Sequence, residues 1–174
     1  MAVTYRPIAT VTVTGSSAST ISFTNIPGTY TDLVIQASLR STRSGFPRAP
    51  LTLTFNSITS GYNWRDIYGV AAGVQNATGS GAYTQIGNMT SVNGTSNVFT
   101  PVTIYIPNYA STTLEKVIRT DTAQTNISDT WIREHLVTYL SNTAAITTIT
   151  LADAIQSSSF VVNSTASLYG ISKS

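Results

Sequence analysis

The chain of 174 residues is long enough for one domain with a sizeable core, but only 9% of it is charged, against about a quarter in ordinary soluble proteins. Nine basic and seven acidic residues leave a net charge of +2, which is too small for the clustered basic surface that binds nucleic acid. The absence of cysteine excludes disulfides and thiolate metal sites, and no stretch approaches the roughly 20 apolar residues of a membrane helix.

Strands of alternating apolar and hydroxyl residues are predicted along the whole chain. Ile8–Thr14, Pro50–Phe55 and Ala145–Leu151 show this pattern most clearly. A period of two places the apolar side chains on one face of a strand and the hydroxyls on the other. In chain order, the predicted strands are Val3–Thr14, Thr20–Thr24, Thr31–Thr42, Pro50–Asn56, Asn63–Val70, Gly81–Met89, Asn97–Ile106, Leu114–Thr122, Thr130–Ser141, Ala145–Ala152 and Ser164–Ile171.

Three segments are less regular. Ala71–Gly81 is rich in Gly and Ala, so it is predicted to be either a flexible loop or a glycine-marked hairpin. A short helical turn is predicted near Thr112–Glu115. Thr130–Leu140 has a composition that a helix would tolerate, but Trp131, Val137 and Tyr139 favour a strand.

Eleven strands at this spacing predict an all-β fold, specifically an antiparallel two-sheet β-sandwich of jelly-roll type. The whole chain, residues 1–174, is predicted to be a single domain because it shows no linker and no internal repeat. Each sheet would have one buried and one wet face. The residues predicted on the inner faces are Leu33, Ile35, Leu51, Leu53, Phe55, Ile104, Ile106, Ile149, Leu151, Leu168 and Ile171.

Residues that could perform catalysis or bind a metal are few. His135 is the only histidine, so no histidine pair can hold a metal, and it is predicted to be structural or exposed. The chain contains no Gly-x-Ser-x-Gly turn of the kind that presents a nucleophilic serine. Its seven carboxylates include no close pair in the sequence, although a glycosidase-like dyad formed by tertiary contact stays open. We therefore predict no catalytic residue, no cofactor and no metal.

Two segments are candidates for contact with a partner. Three arginines flank a Gly-Pro loop and would suit an acidic partner, the alternative being a loop that is simply solvated. Further on, the segment Tyr62–Asp66 brings two aromatics and an ion pair after a turn. Clusters of aromatics and amides bind sugars, but aromatics at the start of a strand are more typical of core or interface anchors, and the anchor interpretation is favoured. The predicted contact residues are Arg40, Arg43, Arg48, Tyr62, Trp64 and Arg65.

Several segments spread over nearly the whole chain share a common likeness. They are Phe23–Val34, Ala37–Thr42, Leu51–Asn56, Tyr62-Asn63, Ile104–Tyr109, Ser141–Leu151 and Ala166–Ile171. This series resembles a family of small β-sandwich virion structural proteins of tailed bacteriophages. The resemblance implies a protein of the phage particle, either on the capsid or on a tail fibre, and it carries over no catalytic residue.

The expected function is that of a non-enzymatic phage virion structural protein, made in the bacterial cytoplasm without a signal peptide. The preferred role is capsid decoration, as a cement protein that binds the major capsid protein and copies of itself on the outside of the head. A low-charge surface rich in Thr and Ser suits such permanent contacts.

The alternative is a tail-fibre or receptor-binding module that recognises host surface glycans, and a glycan hydrolase is a third class. A groove with clustered Trp and Tyr would favour the receptor-binding module. A buried carboxylate pair would favour the hydrolase. Neither nucleic acid nor a membrane is an expected partner.

Overall fold

A computed structural model describes residues 4–70, 73–124, 132–153 and 157–172, without the side chains of residues 70, 132–137 and 139. Within these residues the chain forms twelve strands and no helix, so the prediction of an all-β protein is confirmed. The strands are β1 Thr4–Thr12, β2 Thr20–Phe23, β3 Asp32–Ser41, β4 Arg48–Phe55, β5 Tyr62–Val70, β6 Gly73–Gly81, β7 Thr84–Ser91, β8 Thr100–Pro107, β9 Lys116–Gln124, β10 Ile132–Leu140, β11 Ile149–Ala152 and β12 Thr165–Ser172.

The strands form a larger and a smaller group. Eight of them pair antiparallel in the order β1-β12-β3-β8-β9-β10-β5-β6. Four others pair antiparallel in the order β2-β11-β4-β7. The groups join where Arg40 and Ser41 at the end of β3 pair in parallel with Thr90 and Ser91 of β7. Because β7 also packs against β9, β10 and β5, the larger sheet curves round the smaller one and nearly closes.

One buried cluster fills the space between the two groups of strands. It takes Leu53 and Leu151 from the smaller sheet, and Ile35 and Ile104 from the larger one. All of the residues predicted on inner faces are buried, and the most exposed of them, Ile171, reaches only 5%. The alternation of apolar and hydroxyl residues therefore predicted the core correctly.

The stretch predicted as either a loop or a hairpin is a hairpin. β6 occupies Gly73–Gly81 and pairs with β5 from Val70↔Gly73 to Tyr62↔Gly81. Residues 71 and 72, between the two strands, lie outside the described residues. The pattern of period two is missing from β6 because most of its residues are exposed on both faces, so no apolar face is needed.

The short helical turn predicted at Thr112–Glu115 was wrong. Residues 112–114 form bends, and the Ser111 hydroxyl oxygen accepts hydrogen bonds from the backbone N–H groups of Thr113 (3.2 Å) and Leu114 (3.0 Å). A serine side chain that bonds to nearby backbone groups offers the chain an alternative to a helical turn.

The strand predicted at Ala145–Ala152 is shorter than expected. The side-chain oxygen of Asn56 accepts hydrogen bonds from the N–H groups of Thr147 (2.8 Å) and Thr148 (3.0 Å), so pairing begins only at Ile149. The strand predicted at Thr130–Ser141 corresponds to β10. Residues 130 and 131 are outside the described part of the chain, as are the side chains of His135, Val137 and Tyr139.

A buried carboxylate organises one end of the larger sheet. Asp32, only 1% exposed, accepts hydrogen bonds from the Tyr105 hydroxyl (2.8 Å) and from the N–H of Asn108 (3.0 Å). Burial, and then the bond to the Asp32 carboxylate and its charge, raise the pKa of Tyr105 to about 12, from 10.0. Deprotonation of Tyr105 therefore opposes the folded state.

This shift predicts a pH dependence. Because the folded pKa of Tyr105 lies above the unfolded value, its contribution to stability is complete below pH 10 and is lost as the pH rises from about 10 to 12. Denaturant titrations across this range should show the native protein losing more stability than Tyr105→Phe, which has no phenol to ionise. Equal slopes for the two proteins would contradict the assignment.

Candidate functional site

A cleft of about 170 Å³ lies between the β5–β6 hairpin and strands β4 and β7. We call it the Trp64 cleft. Its lining combines two aromatic rings, one carboxylate, one guanidinium, two amides and one alanine. The lining residues are Arg48, Trp64, Asp66, Tyr68, Ala77, Gln85 and Asn88.

The period of β5 places its three contributions side by side. Trp64, Asp66 and Tyr68 are two residues apart and share one face of the strand, while Arg65 and Ile67 point the other way and are exposed. Asp66 is only 4% exposed, so its carboxylate is drawn well into the protein. One face of a single strand therefore supplies both rings and the negative charge of the cleft.

A glycine on the neighbouring strand receives the Trp64 ring. Gly79 is the register partner of Trp64 in the β5–β6 hairpin. A Cβ atom at position 79 would lie 2.3 Å from Cζ2 of the Trp64 ring, a separation that real Cβ atoms do not show. The ring therefore lies directly against the backbone of β6, which fixes its orientation in the cleft.

A bulge in β7 brings the two amides to the same side. Gln85 and Asn88 are three residues apart, so a regular strand would place them on opposite faces. In the pairing of β7 with β4, however, Pro50 faces Asn88 and Thr52 faces Gln85, so β7 contains one extra residue between them. Gly87, with φ of 118°, lies in this bulge and adopts a conformation that favours glycine.

The cleft unites members of the two segments that were predicted to contact a partner. Arg48 comes from the arginine loop and Trp64 from the aromatic segment. Arg65 is exposed on the opposite face of β5 and does not line the cleft. Contact of these residues with a partner stays a prediction.

Tyr62 belongs to the core instead of the surface. It is fully buried, its hydroxyl oxygen accepts a hydrogen bond from the N–H of Phe55 (2.8 Å), and its ring lies 6.4 Å from that of Phe55. Burial raises the pKa of Tyr62. This is the anchor role favoured by its position at the start of a strand.

Arg40 is also used inside the protein. It is 7% exposed, and its guanidinium donates to the carbonyl oxygens of Thr95 (2.7 Å) and Val98 (3.1 Å), which fixes the segment that precedes β8. A buried guanidinium satisfied by backbone carbonyls has a structural role.

Arg43 is half-buried and shapes the loop before β4. It donates to the carbonyl oxygen of Arg48 (3.1 Å), and its guanidinium carbon lies 4.4 Å from the centre of the Phe46 ring. These contacts hold the loop against the start of β4, where Arg48 enters the cleft.

The lining of the cleft supplies aromatic rings that can stack on a ligand and polar groups that can hydrogen-bond to it. Asp66 is the one carboxylate among the described residues that line it, so the lining shows no second acid for a glycosidase dyad. No group of three His, Asp or Glu side chains that could hold a metal occurs among the described residues. No helix of the described chain is long and apolar enough to cross a membrane.

Sequence reasoning identified Trp64 and Arg48 as contact residues and noted Asp66 only as half of an ion pair in the same segment. It missed Tyr68, Gln85 and Asn88. The spacing of Trp64, Asp66 and Tyr68 by two residues was a usable signal, whereas nothing in the sequence pointed to the amides. Comparison of the chain with protein-family models, curated proteins and solved structures finds no match. The residues of the Trp64 cleft therefore offer the structural basis for a functional proposal.

Proposed function

We propose that this protein is a non-enzymatic structural protein of a tailed-phage virion that binds host surface saccharides in the Trp64 cleft. The observation that carries the proposal is the placement of Trp64 and Tyr68 beside the Asp66 carboxylate and the amides of Gln85 and Asn88. The virion setting is supported by the resemblance of the sequence segments and by the low charge of the chain. Capsid decoration and receptor binding then become alternative roles within that setting.

The chemistry of a sugar matches this lining. A sugar ring has C–H faces that are apolar enough to stack on an aromatic ring and hydroxyls around its rim that both donate and accept hydrogen bonds. A carboxylate accepts from such hydroxyls, a guanidinium donates to them, and an amide does both. The volume of about 170 Å³ is smaller than the roughly 300–1,000 Å³ of pockets for drug-sized ligands, which fits a single terminal sugar unit.

We also propose a specific architecture for this all-β fold. We infer that the two groups of strands form a β-sandwich of jelly-roll type, since both contribute side chains to one buried cluster. The Trp64 cleft then lies where the β5–β6 hairpin meets the smaller sheet.

Capsid decoration is the second candidate, and surface apolar residues favour it. Phe46, Ile67 and Val74 are 58%, 59% and 78% exposed. Exposed apolar side chains on a chain with few charges suit permanent contacts with the major capsid protein and with copies of this chain. A cement role, however, has no use for two half-buried rings that line a polar cleft.

The test is a binding measurement on an array of oligosaccharides from bacterial lipopolysaccharides and capsules. We expect the protein to bind a subset of them and Trp64→Ala to weaken that binding by at least about fivefold, since a stacked Trp commonly contributes more than about 1 kcal/mol. The matched control is Arg65→Ala, which changes the next residue on the opposite face of β5 and should bind like the native protein. The bound oligosaccharide should be recovered intact.

Equal loss of binding in Trp64→Ala and Arg65→Ala would contradict the cleft as the binding site. Cleavage of the oligosaccharide by the native protein would contradict the non-enzymatic role. If no saccharide binds, and particles without this protein still adsorb to cells but rupture earlier on heating, capsid decoration becomes the supported role.

A further inference from the structure

The edges of the two sheets are protected unequally. At one edge of the larger sheet, β1 contains Arg6 and Pro7, and its pairing with β12 shifts register between Pro7 and Ala9. At the outer edge of the smaller sheet, β2 is only 4 residues long. Charge, proline, bulges and shortness are the usual devices by which proteins prevent their edges from pairing with other chains.

The other edge of the larger sheet has none of these devices. β6, Gly73–Gly81, is 9 residues long and contains neither a charged residue nor a proline. Most of its residues are exposed, and among the described strands only β5 pairs with it. Its outer side therefore presents a row of backbone N–H and C=O groups that another strand can satisfy.

We propose that β6 pairs antiparallel with β6 of a second copy of this chain, about a two-fold axis at Ala77. This register is the one in which all nine residues of both strands overlap, since Ala77 is the middle residue of Gly73–Gly81. The pairing joins two larger sheets into one continuous sheet. A two-fold contact of this kind is closed and yields a dimer, not a fibre.

The side chains that meet across the axis are compatible. Asn76 faces Thr78 of the partner subunit, an amide and a hydroxyl that can hydrogen-bond, and Val74 faces Ser80 of the partner subunit. Ala77 faces its own symmetry mate, which leaves room for close approach of the backbones. Because β6 has no charged residue, a strand placed against its own copy meets no like-charge repulsion.

Within a second copy, β6 fits this edge better than β1 or β2 does. Pairing β6 with β1 of a neighbour would bring Arg6, Pro7 and the β1 bulge into the ladder, and proline cannot donate to it. The short β2 would cover less than half of β6. Pairing of β6 with itself is the arrangement that satisfies the whole edge.

The dimer has a consequence for the Trp64 cleft, and this consequence rests on the proposed function. Ala77 lines the cleft, and Gly79 backs the Trp64 ring, so the two-fold axis passes beside the cleft of each copy. Two clefts would then lie next to each other on one rigid sheet. Two adjacent sites bind a repetitive surface polysaccharide with greater avidity than either site alone.

The dimer is tested by its mass in solution, without any saccharide, so its failure is distinguishable from failure of the proposed function. Light scattering after gel filtration should give twice the chain mass of 18.5 kDa. The double variant Asn76→Lys with Thr78→Lys places two like-charge pairs across the axis and should weaken dimerisation at least about tenfold. Both side chains are exposed, so circular dichroism should show an unchanged fold.

A charge-matched control fixes the register. In Asn76→Lys with Thr78→Glu, each introduced lysine faces an introduced glutamate of the partner subunit, so the dimer should persist. The double variant Asn76→Lys with Thr78→Lys is called the all-lysine variant. When it is mixed with the double variant Asn76→Glu with Thr78→Glu, the two should form a heterodimer. A monomeric native protein, a dimer that the all-lysine variant leaves intact, or a Lys/Glu variant that is monomeric would each overturn the proposal.

Discussion

Leu53→Asp is expected to prevent folding. Leu53 is fully buried in β4 and pairs with Leu151 of β11 on one side and Thr84 of β7 on the other. A carboxylate at this position would be buried without a cationic partner, in a site built for a leucine. The combined cost of burying the charge and losing the apolar contacts exceeds about 5 kcal/mol, which matches the whole stability of many domains.

The matched control is Thr54→Asp on the same strand. Thr54 is half-buried and points away from Leu53, towards the face where Thr150 is its register partner. The same charge at this position should cost about 1 kcal/mol or less, and the protein should keep its circular dichroism and its cooperative thermal transition. A folded Leu53→Asp protein together with an unfolded Thr54→Asp protein would mean that the register of β4 is wrong by one residue.

This contrast shows which part of the fold could be predicted from the sequence. Leu51, Leu53 and Phe55 alternate with Thr, and all three are buried, as the two faces of a strand predict. Thr52 between them is buried as well, and its hydroxyl donates to the carbonyl oxygen of Ala152 (2.9 Å), so the wet face predicted for the sheet is not found at that position. β6 could not be predicted with the same pattern because it is an edge strand whose residues are mostly exposed, with only Ala77 and Gly79 half-buried beside the cleft and the Trp64 ring. The pairing order of the strands could not be predicted either, since paired strands such as β3 and β12, or β4 and β11, lie far apart in the chain.

Part of the site could be predicted from the sequence for the same physical reason. The sequence of β5 already contained Trp64, Asp66 and Tyr68 with the spacing that places them on one face, although the aromatic segment singled out from the sequence ended at Asp66. Gln85 and Asn88 join them only because of the β7 bulge, and a bulge depends on the pairing of two strands, which a local pattern does not contain.

The burial of Arg40 could not be predicted from the sequence. Its sequence neighbours suggested a loop at the surface, but its partners are the backbone carbonyls of Thr95 and Val98, more than fifty residues away. Every residue type has a carbonyl oxygen, so an arginine that binds carbonyls leaves no signature in the residues it binds. Buried charges of this kind become visible only with the fold.

Lys116 is a second buried cation of this type. It is fully buried, and its Nζ donates hydrogen bonds to the carbonyl oxygens of Ser111 (2.8 Å), Leu114 (2.6 Å) and Thr143 (3.1 Å). Burial lowers the pKa of Lys116, while the three carbonyl dipoles favour its charged form. The ammonium thus ties the loop before β9 to the segment that follows β10.

We expect Lys116→Met to destabilise the protein by about 2–4 kcal/mol. Methionine removes the cost of burying a charge, but it leaves three carbonyl oxygens without their donor, and each buried group that loses its partner costs about 1–3 kcal/mol. The loss of three acceptor contacts outweighs the single gain. The melting temperature should fall by about 5–15 °C, since a domain of this size loses roughly 2–4 °C for each kcal/mol of stability.

The control for this change lies at the next position. Val117 points to the opposite face of β9 and is 46% exposed, so Val117→Met introduces the same side chain without touching the three carbonyls. It should leave the melting temperature within a degree or two of the native value, since surface substitutions change stability by about 0.5 kcal/mol or less. If Lys116→Met had the same melting temperature as Val117→Met, the ammonium would not be what holds the loop, and the apolar stem of the lysine would account for its burial.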